Sequence, residues 1–138
     1  GDIVTFPLKM AGARLQRMEH VSHARSSATH AVKSIFGSVD EYDYLPYFYS
    51  RIFALSWQFY GDNRGESVLI GDFAPKLAAF WIDDGKVVGV FFESPSEQDT
   101  EAMQRIARAC PAVDATVLKL AGSADEALAI VKKVAGLD

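Results

Sequence analysis

The residues most able to do chemistry gather in two places. One is the run Asp43-Tyr44-Leu45-Pro46-Tyr47-Phe48-Tyr49-Ser50-Arg51. Pro46 fixes its own φ and drives Leu45 toward extended geometry, so this run is expected to be a rigid loop or the start of a strand. Its rings have two uses that composition alone does not separate. They either seal a core, or one of them stacks on a flat ligand while Arg51 or a nearby Arg holds an anion. The other place is the segment with His20, His23, Arg25 and His30. Three histidines on one helix suggest zinc. However, His30 lies two turns beyond the first pair, and no further His or Cys completes a tetrahedral set. They are therefore expected to be surface or cleft histidines, with no metal. Cys110 is the single cysteine, which excludes an internal disulfide and a Cys-x-x-Cys redox pair.

The elements that must position these residues follow from periodicity. Gly1 to Lys9 reads as a short strand leaving a Gly-Asp turn, in which Asp2 is either a turn former or a carboxylate aimed at a ligand hydroxyl. Pro7 argues against a central strand there. Met10 to Ala13 reads as a loop. Arg14 to Phe36 reads as one helix with Val21, Ala24, Ala28, Ala31, Val32 and Ile35 on its apolar face, stopped by Gly37. Glu19 and Ser22 suit the helix start. Four strands follow. Leu55, Trp57 and Phe59 alternate with polar partners, Ser67 to Ile70 forms a second run, and Leu77–Ile82 and Lys86–Phe92 flank the turn Asp83-Asp84-Gly85. Two helices close the chain. Ser94-Pro95-Ser96-Glu97 offers an N-cap to the first, with Met103, Ile106, Ala107 and Cys110 at helical spacing and Pro111 ending it. Ser123 to Glu126 starts the second, whose stripe holds Leu128 and Val131. Strands grouped together and then helices indicate an α+β fold, an antiparallel sheet with flanking helices.

Of the 138 residues, 49% are hydrophobic and 23% charged, which suits a packed core rather than a disordered chain. The net charge of −4 and the scattered basic residues argue against nucleic-acid binding. No apolar run approaches the ~20 residues of a membrane span. The chain opens on Gly1-Asp2-Ile3-Val4 without an initiator Met, signal peptide or transit segment, and a fragment is expected.

Several segments together resemble the monodehydroascorbate reductases, a family of two-nucleotide-domain flavoprotein reductases. They are Gly1-Asp2 with Phe6-Pro7-Leu8-Lys9, Arg17 to Arg25 (Arg-Met-Glu-His-Val-Ser-His-Ala-Arg), Tyr42 to Arg51, and Trp57 to Asn63. The resemblance covers nearly the whole chain and is weakest beyond Ala112. It implies that residues 1–36 are the last strand and helix of an FAD-binding domain and residues 37–138 a C-terminal interface domain. The G-x-G-x-x-G turn and the inserted NAD(P) domain of such enzymes lie outside these residues. Ser22 stands where the family usually has Asp.

The resemblance implies FAD and NAD(P)H as cofactors and the monodehydroascorbate radical as substrate, with ascorbate as product. By resemblance Asp2 accepts a bond from the flavin's ribityl chain. Glu19, His20 and Val21 lie beside the flavin ring, where helix amides and dipole favour negative charge. Arg25 carries the substrate's charge and Tyr49 forms the wall near flavin and substrate. Tyr47 and Tyr49 are expected to face one way and Phe48 the other. The other readings are a reductase serving a small iron–sulfur protein, whose aromatic loop tends to carry Trp where this chain has Tyr47 and Tyr49, and a non-catalytic α+β interaction domain. The C-terminal helix points to a chloroplast or mitochondrial member, with the cytoplasm as the other compartment.

Overall fold

The computed structural model describes residues 1–73 and 76–137. Strands β1 (Thr5–Leu8) and β2 (Arg14–Arg17) form an antiparallel hairpin, followed by helix α1 (Val21–Ile35). A linker leads to β3 (Tyr47–Ile52), β4 (Leu55–Gly61), β5 (Glu66–Asp72), β6 (Lys76–Asp83) and β7 (Lys86–Glu93). These five make one antiparallel sheet in the order β3-β4-β7-β6-β5. Helices α2 (Glu97–Ala109), α3 (Ala115–Lys119) and α4 (Ala124–Val134) complete the chain. The fold is α+β, an antiparallel sheet with flanking helices.

Antiparallel pairing places every second residue on one face. Tyr47, Tyr60, Val90, Phe80 and Val68 stand in register across the sheet and face the helices. There they meet Met103, Ile106 and Ala107 of α2, Leu118 of α3, and Leu128 and Val131 of α4, all buried in a single core. Phe80 and Phe92 are fully buried, so truncating either to Ala should cost about 3–5 kcal/mol. The other face carries Phe48, Phe59, Phe91, Ala79 and Leu69 in register, with no helix over it among the described residues. The turn joining β6 to β7 holds Asp84 and Gly85 at φ +49° and +70°, the left-handed pair that a two-residue hairpin turn of matching twist requires.

Five expectations are corrected. The pattern from Arg14 to Phe36 is not one helix. Arg14–Arg17 pairs with β1, and the helix begins only at Val21. The apolar face assigned to that helix is not its buried face. Val21, Val32 and Ile35 are exposed, while His23 and Ser27 are buried, because the aromatic rings of β1 and the linker cover that side. The histidines are accordingly not all surface or cleft residues. The cap of α2 is Ser96 rather than Ser94: its hydroxyl accepts from Asp99 N–H, and the Asp99 carboxylate accepts from Ser96 N–H in return. The strands before α2 number five in the main sheet rather than four, since Tyr47–Ile52 pairs along the whole of β4. Helix α3 had no counterpart in the sequence reading. Its cap is Asp114, accepting from Thr116 N–H at 2.8 Å.

Candidate active site at the start of α1

The chain reverses at Met18–His20 between β2 and α1, and His20 caps the helix. Its Nδ1 lies 3.3 Å from Ser22 N–H, and its Nε2 lies 3.4 Å from Tyr49 N–H. The ring also meets Tyr49 edge-on at 5.1 Å between centroids, Phe48 at 5.0 Å and Tyr47 at 5.9 Å. His20 and Tyr49 are thus the direct join between the helix start and the aromatic strand. Val21 is half-exposed at the first helical position. Glu19 is exposed and paired with Arg17 at 2.7 Å. Arg25 is exposed one turn beyond Val21, on the same side of the helix. Asp2 is exposed in a turn closed by Val4 N–H donating to Gly1 O at 3.1 Å. No hydrogen bond joins Asp2 or Arg25 to Tyr49 among the described residues.

Tyr47 and Tyr49 do face one way, their rings stacked at 5.5 Å, and Phe48 faces the other, toward Phe59. Tyr47 packs on Tyr60 at 4.6 Å. Burial and the neighbouring Tyr60 push the Tyr47 phenol up to about 12. Tyr49, by contrast, is about half-exposed.

Below the helix start, Phe6, His23, Tyr42 and Tyr44 form one cluster. Phe6 stacks on His23 at 4.9 Å, and Tyr42 stacks on Tyr44 at 5.8 Å and 7°. The Tyr44 hydroxyl donates to Ser22 Oγ at 3.1 Å, and the Tyr42 hydroxyl lies 3.2 Å from His23 Nδ1. His23 is fully buried, and its Nε2 has no partner among the described residues. Burial lowers its pKa, while Asp2 opposes the shift. His30 rests against Tyr42 at 5.1 Å. Each histidine therefore has a packing or capping use. Among the described residues, no group of three or more His, Cys, Asp or Glu is placed to hold a metal ion.

A groove of about 510 Å³ runs over the open sheet face beside Tyr49. Gln16, Arg17 and Met18 form one wall, and Trp57, Phe59 and Trp81 much of the floor. Sequence reasoning did not single out this groove. Its signal was present in the period-two placing of Trp57 and Phe59 on β4, but Trp81 joins them only through the sheet register.

The five-stranded antiparallel sheet with helices on one face, preceded by a hairpin and a helix, is a fold shared with solved structures. The structure of the covalent putidaredoxin reductase–putidaredoxin complex superposes with a TM-score of 0.74 at 20% identity, over 100% of this chain and 33% of that one. The family described as "Monodehydroascorbate reductase 3-like, C-terminal domain" matches residues 45–132, and the chain belongs to it. A monodehydroascorbate reductase of Solanum lycopersicum is 55% identical over 121 residues, covering 80% of this chain. A chloroplastic/mitochondrial one of Arabidopsis thaliana is 48% identical over 140 residues, covering 96%. The chain spans 28% of the length of each of these relatives. Among the described residues no helix is long and apolar enough to cross a membrane.

Proposed function

We propose that this chain is the C-terminal portion of an FAD- and NAD(P)H-dependent enzyme that reduces the monodehydroascorbate radical to ascorbate. The observation that carries the reading is the meeting of His20 and Tyr49, with Arg25 one turn further along the same helix. Residues 1–36 act as the end of the FAD-binding domain and residues 37–138 as the interface domain. The relatives are more than three times as long as this chain, and the remaining FAD and NAD(P) domains are its partners. The exposed apolar residues Ile3, Leu15 and Val21 and the aromatic groove supply the surface on which they pack.

The helix start fits a flavin. The first-turn amides of α1 have no intrahelical acceptors, and together with the helix dipole they favour negative charge. When bound there, FAD would supply the conversion of hydride transfer from NAD(P)H into single-electron transfer, which no side chain performs. The chain's own residues do the rest. Asp2 accepts a hydrogen bond from a ligand hydroxyl. The backbone of Glu19, His20 and Val21 stabilises negative charge beside the ring. Arg25 holds the delocalised anionic oxygens of the radical, for which a guanidinium is well matched. Tyr49 closes one side and orders the substrate against it. The relatives include chloroplastic/mitochondrial and peroxisomal forms, and we assign this chain to chloroplast or mitochondrion on its fuller match to an organellar relative.

The test is Arg25→Ala in the flavin-loaded protein. KM for the radical should rise, with about 1.5–3 kcal/mol of transition-state binding lost, while flavin reduction by NAD(P)H stays unchanged. Equal loss in both half-reactions would make Arg25 structural and remove the substrate assignment.

A further inference from the structure

We propose that the His20 imidazole is a positioning residue that holds Tyr49 against the start of α1 as a neutral ring, accepting from Tyr49 N–H at Nε2 and carrying its hydrogen on Nδ1. This rests on the reading of the helix start as the flavin-facing end.

The structure sets two donors against one ring. Ser22 N–H points at Nδ1 from 3.3 Å, and Tyr49 N–H points at Nε2 from 3.4 Å. A neutral imidazole has one acceptor nitrogen and one N–H, and an imidazolium has no acceptor. Only one of these contacts is therefore a hydrogen bond at a time, and protonating the ring abolishes both.

The two donors differ in what else they can reach. Tyr49 belongs to the edge strand β3. Gly61 N–H donates to Pro46 O at 3.0 Å, which fixes the antiparallel alternation. With that register Phe48 and Ser50 exchange bonds with β4, while Tyr47 and Tyr49 aim their amides away from it. His20 is the group that receives the Tyr49 amide. Ser22 N–H lies in the first helical turn, whose amides lack intrahelical acceptors, and its acceptor in the structure is His20 Nδ1. A ligand taking that amide leaves His20 to Tyr49. Occupancy of the helix start is thereby coupled to the seating of the tyrosine wall, through one ring that also touches Tyr47 and Phe48.

Two substitutions separate the contacts. The amide oxygen of His20→Asn lies near the place of Nδ1 and makes a good helix cap. That of His20→Gln reaches toward the place of Nε2. Three measurements on the flavin-loaded protein decide the matter: nitrogen shifts of selectively labelled histidine, amide exchange at Tyr49, and stopped-flow rates of the two half-reactions.

In the wild type, His20 should be neutral with its hydrogen on Nδ1. His20→Gln should keep the Tyr49 amide protected. His20→Asn should speed Tyr49 exchange about five- to tenfold, the loss of one hydrogen bond, and slow flavin reoxidation by the radical more than it slows flavin reduction. An imidazolium or a hydrogen on Nε2 at neutral pH overturns the proposal, as does unchanged Tyr49 exchange in His20→Asn. Should wild-type reduced flavin not react with the radical at all, the proposed function fails, while the histidine shifts and amide exchange still decide the role of His20.

Discussion

Arg14 of β2 and Asp62, in the turn after β4, form an ion pair that ties the N-terminal hairpin to the main sheet. Asp62 is nearly buried and Arg14 about one-third exposed, and Arg14 Nε is buried without a partner among the described residues. The pair also borders the aromatic groove, which Asp62 lines. Removing one partner strands the other in a half-dry site. Asp62→Ala should therefore cost about 1–3 kcal/mol in chemical denaturation, more than an exposed pair such as Lys9–Glu41. Equal losses for Asp62→Ala and Glu41→Ala would show that the Asp62 pair is no better shielded.

The Tyr44 hydroxyl bond to Ser22 joins the linker to the first turn of α1. Tyr44→Phe keeps the ring stacked on Tyr42 and removes only this bond. The expected cost is about 1 kcal/mol, and Ser22→Ala should add little once Tyr44 is Phe. A double-mutant cycle with fully additive losses would place the hydroxyl's contribution elsewhere.

Gly89 of β7 is the tightest backbone approach near the groove. A Cβ there would stand 2.1 Å from Asp62 O and 3.1 Å from Phe59 Cε2. The first clash is with backbone, which cannot swing aside as a long side chain would. Gly89→Ala should destabilise by about 3 kcal/mol and disturb the Arg14–Asp62 pair as well. A melting temperature within a degree or so of wild type would mean the segment around Asp62 yields readily.

His23 gives the fold an acid-side weakness. Burial lowers its folded pKa below the ordinary histidine value of 6.5. In that window the unfolded chain binds the proton more readily than the folded one. Stability is therefore full above about 6.5 and falls as pH drops toward the lower folded pKa. His23→Phe preserves a ring against Phe6 and removes this slope. Denaturation midpoints followed from pH 7.5 down to 5 should show wild type declining more steeply than the variant, and parallel curves would sink the assignment.

Much of the sheet was legible because its signals are local. Asp83-Asp84-Gly85 specifies a left-handed two-residue turn, and Lys86 to Phe92 alternates as its neighbours require. The N-terminal third was less so. Arg14-Leu15-Gln16-Arg17 contains good helix formers, and only pairing with β1 makes it a strand. The buried side of α1 is His23 and Ser27, whose burial depends on rings supplied by Phe6, Tyr42 and Tyr44. Periodicity sees apolar residues and passes over a histidine buried by stacking. Ser94 and Ser96 flank the same proline, and only the chain geometry makes the second one the cap, since Ser94 itself sits at φ +47°. Near the candidate site, His20 and Tyr49 are 29 residues apart, and no local spacing brings them together.

The seating of His20 on β3 has a consequence for the solution behaviour of the protein. A strand at the rim of a sheet offers unsatisfied amides on which another chain can stack and extend. Here His20 covers the Tyr49 amide on that rim. Beyond it stand Tyr47, Phe48, Tyr49 and Ile52, rich in residues that favour cross-strand stacking. The imidazole that covers this amide is therefore also a guard against self-association. Variants that empty this position should show concentration-dependent aggregation before they show global unfolding, and light scattering at fixed temperature should detect it first in His20→Ala.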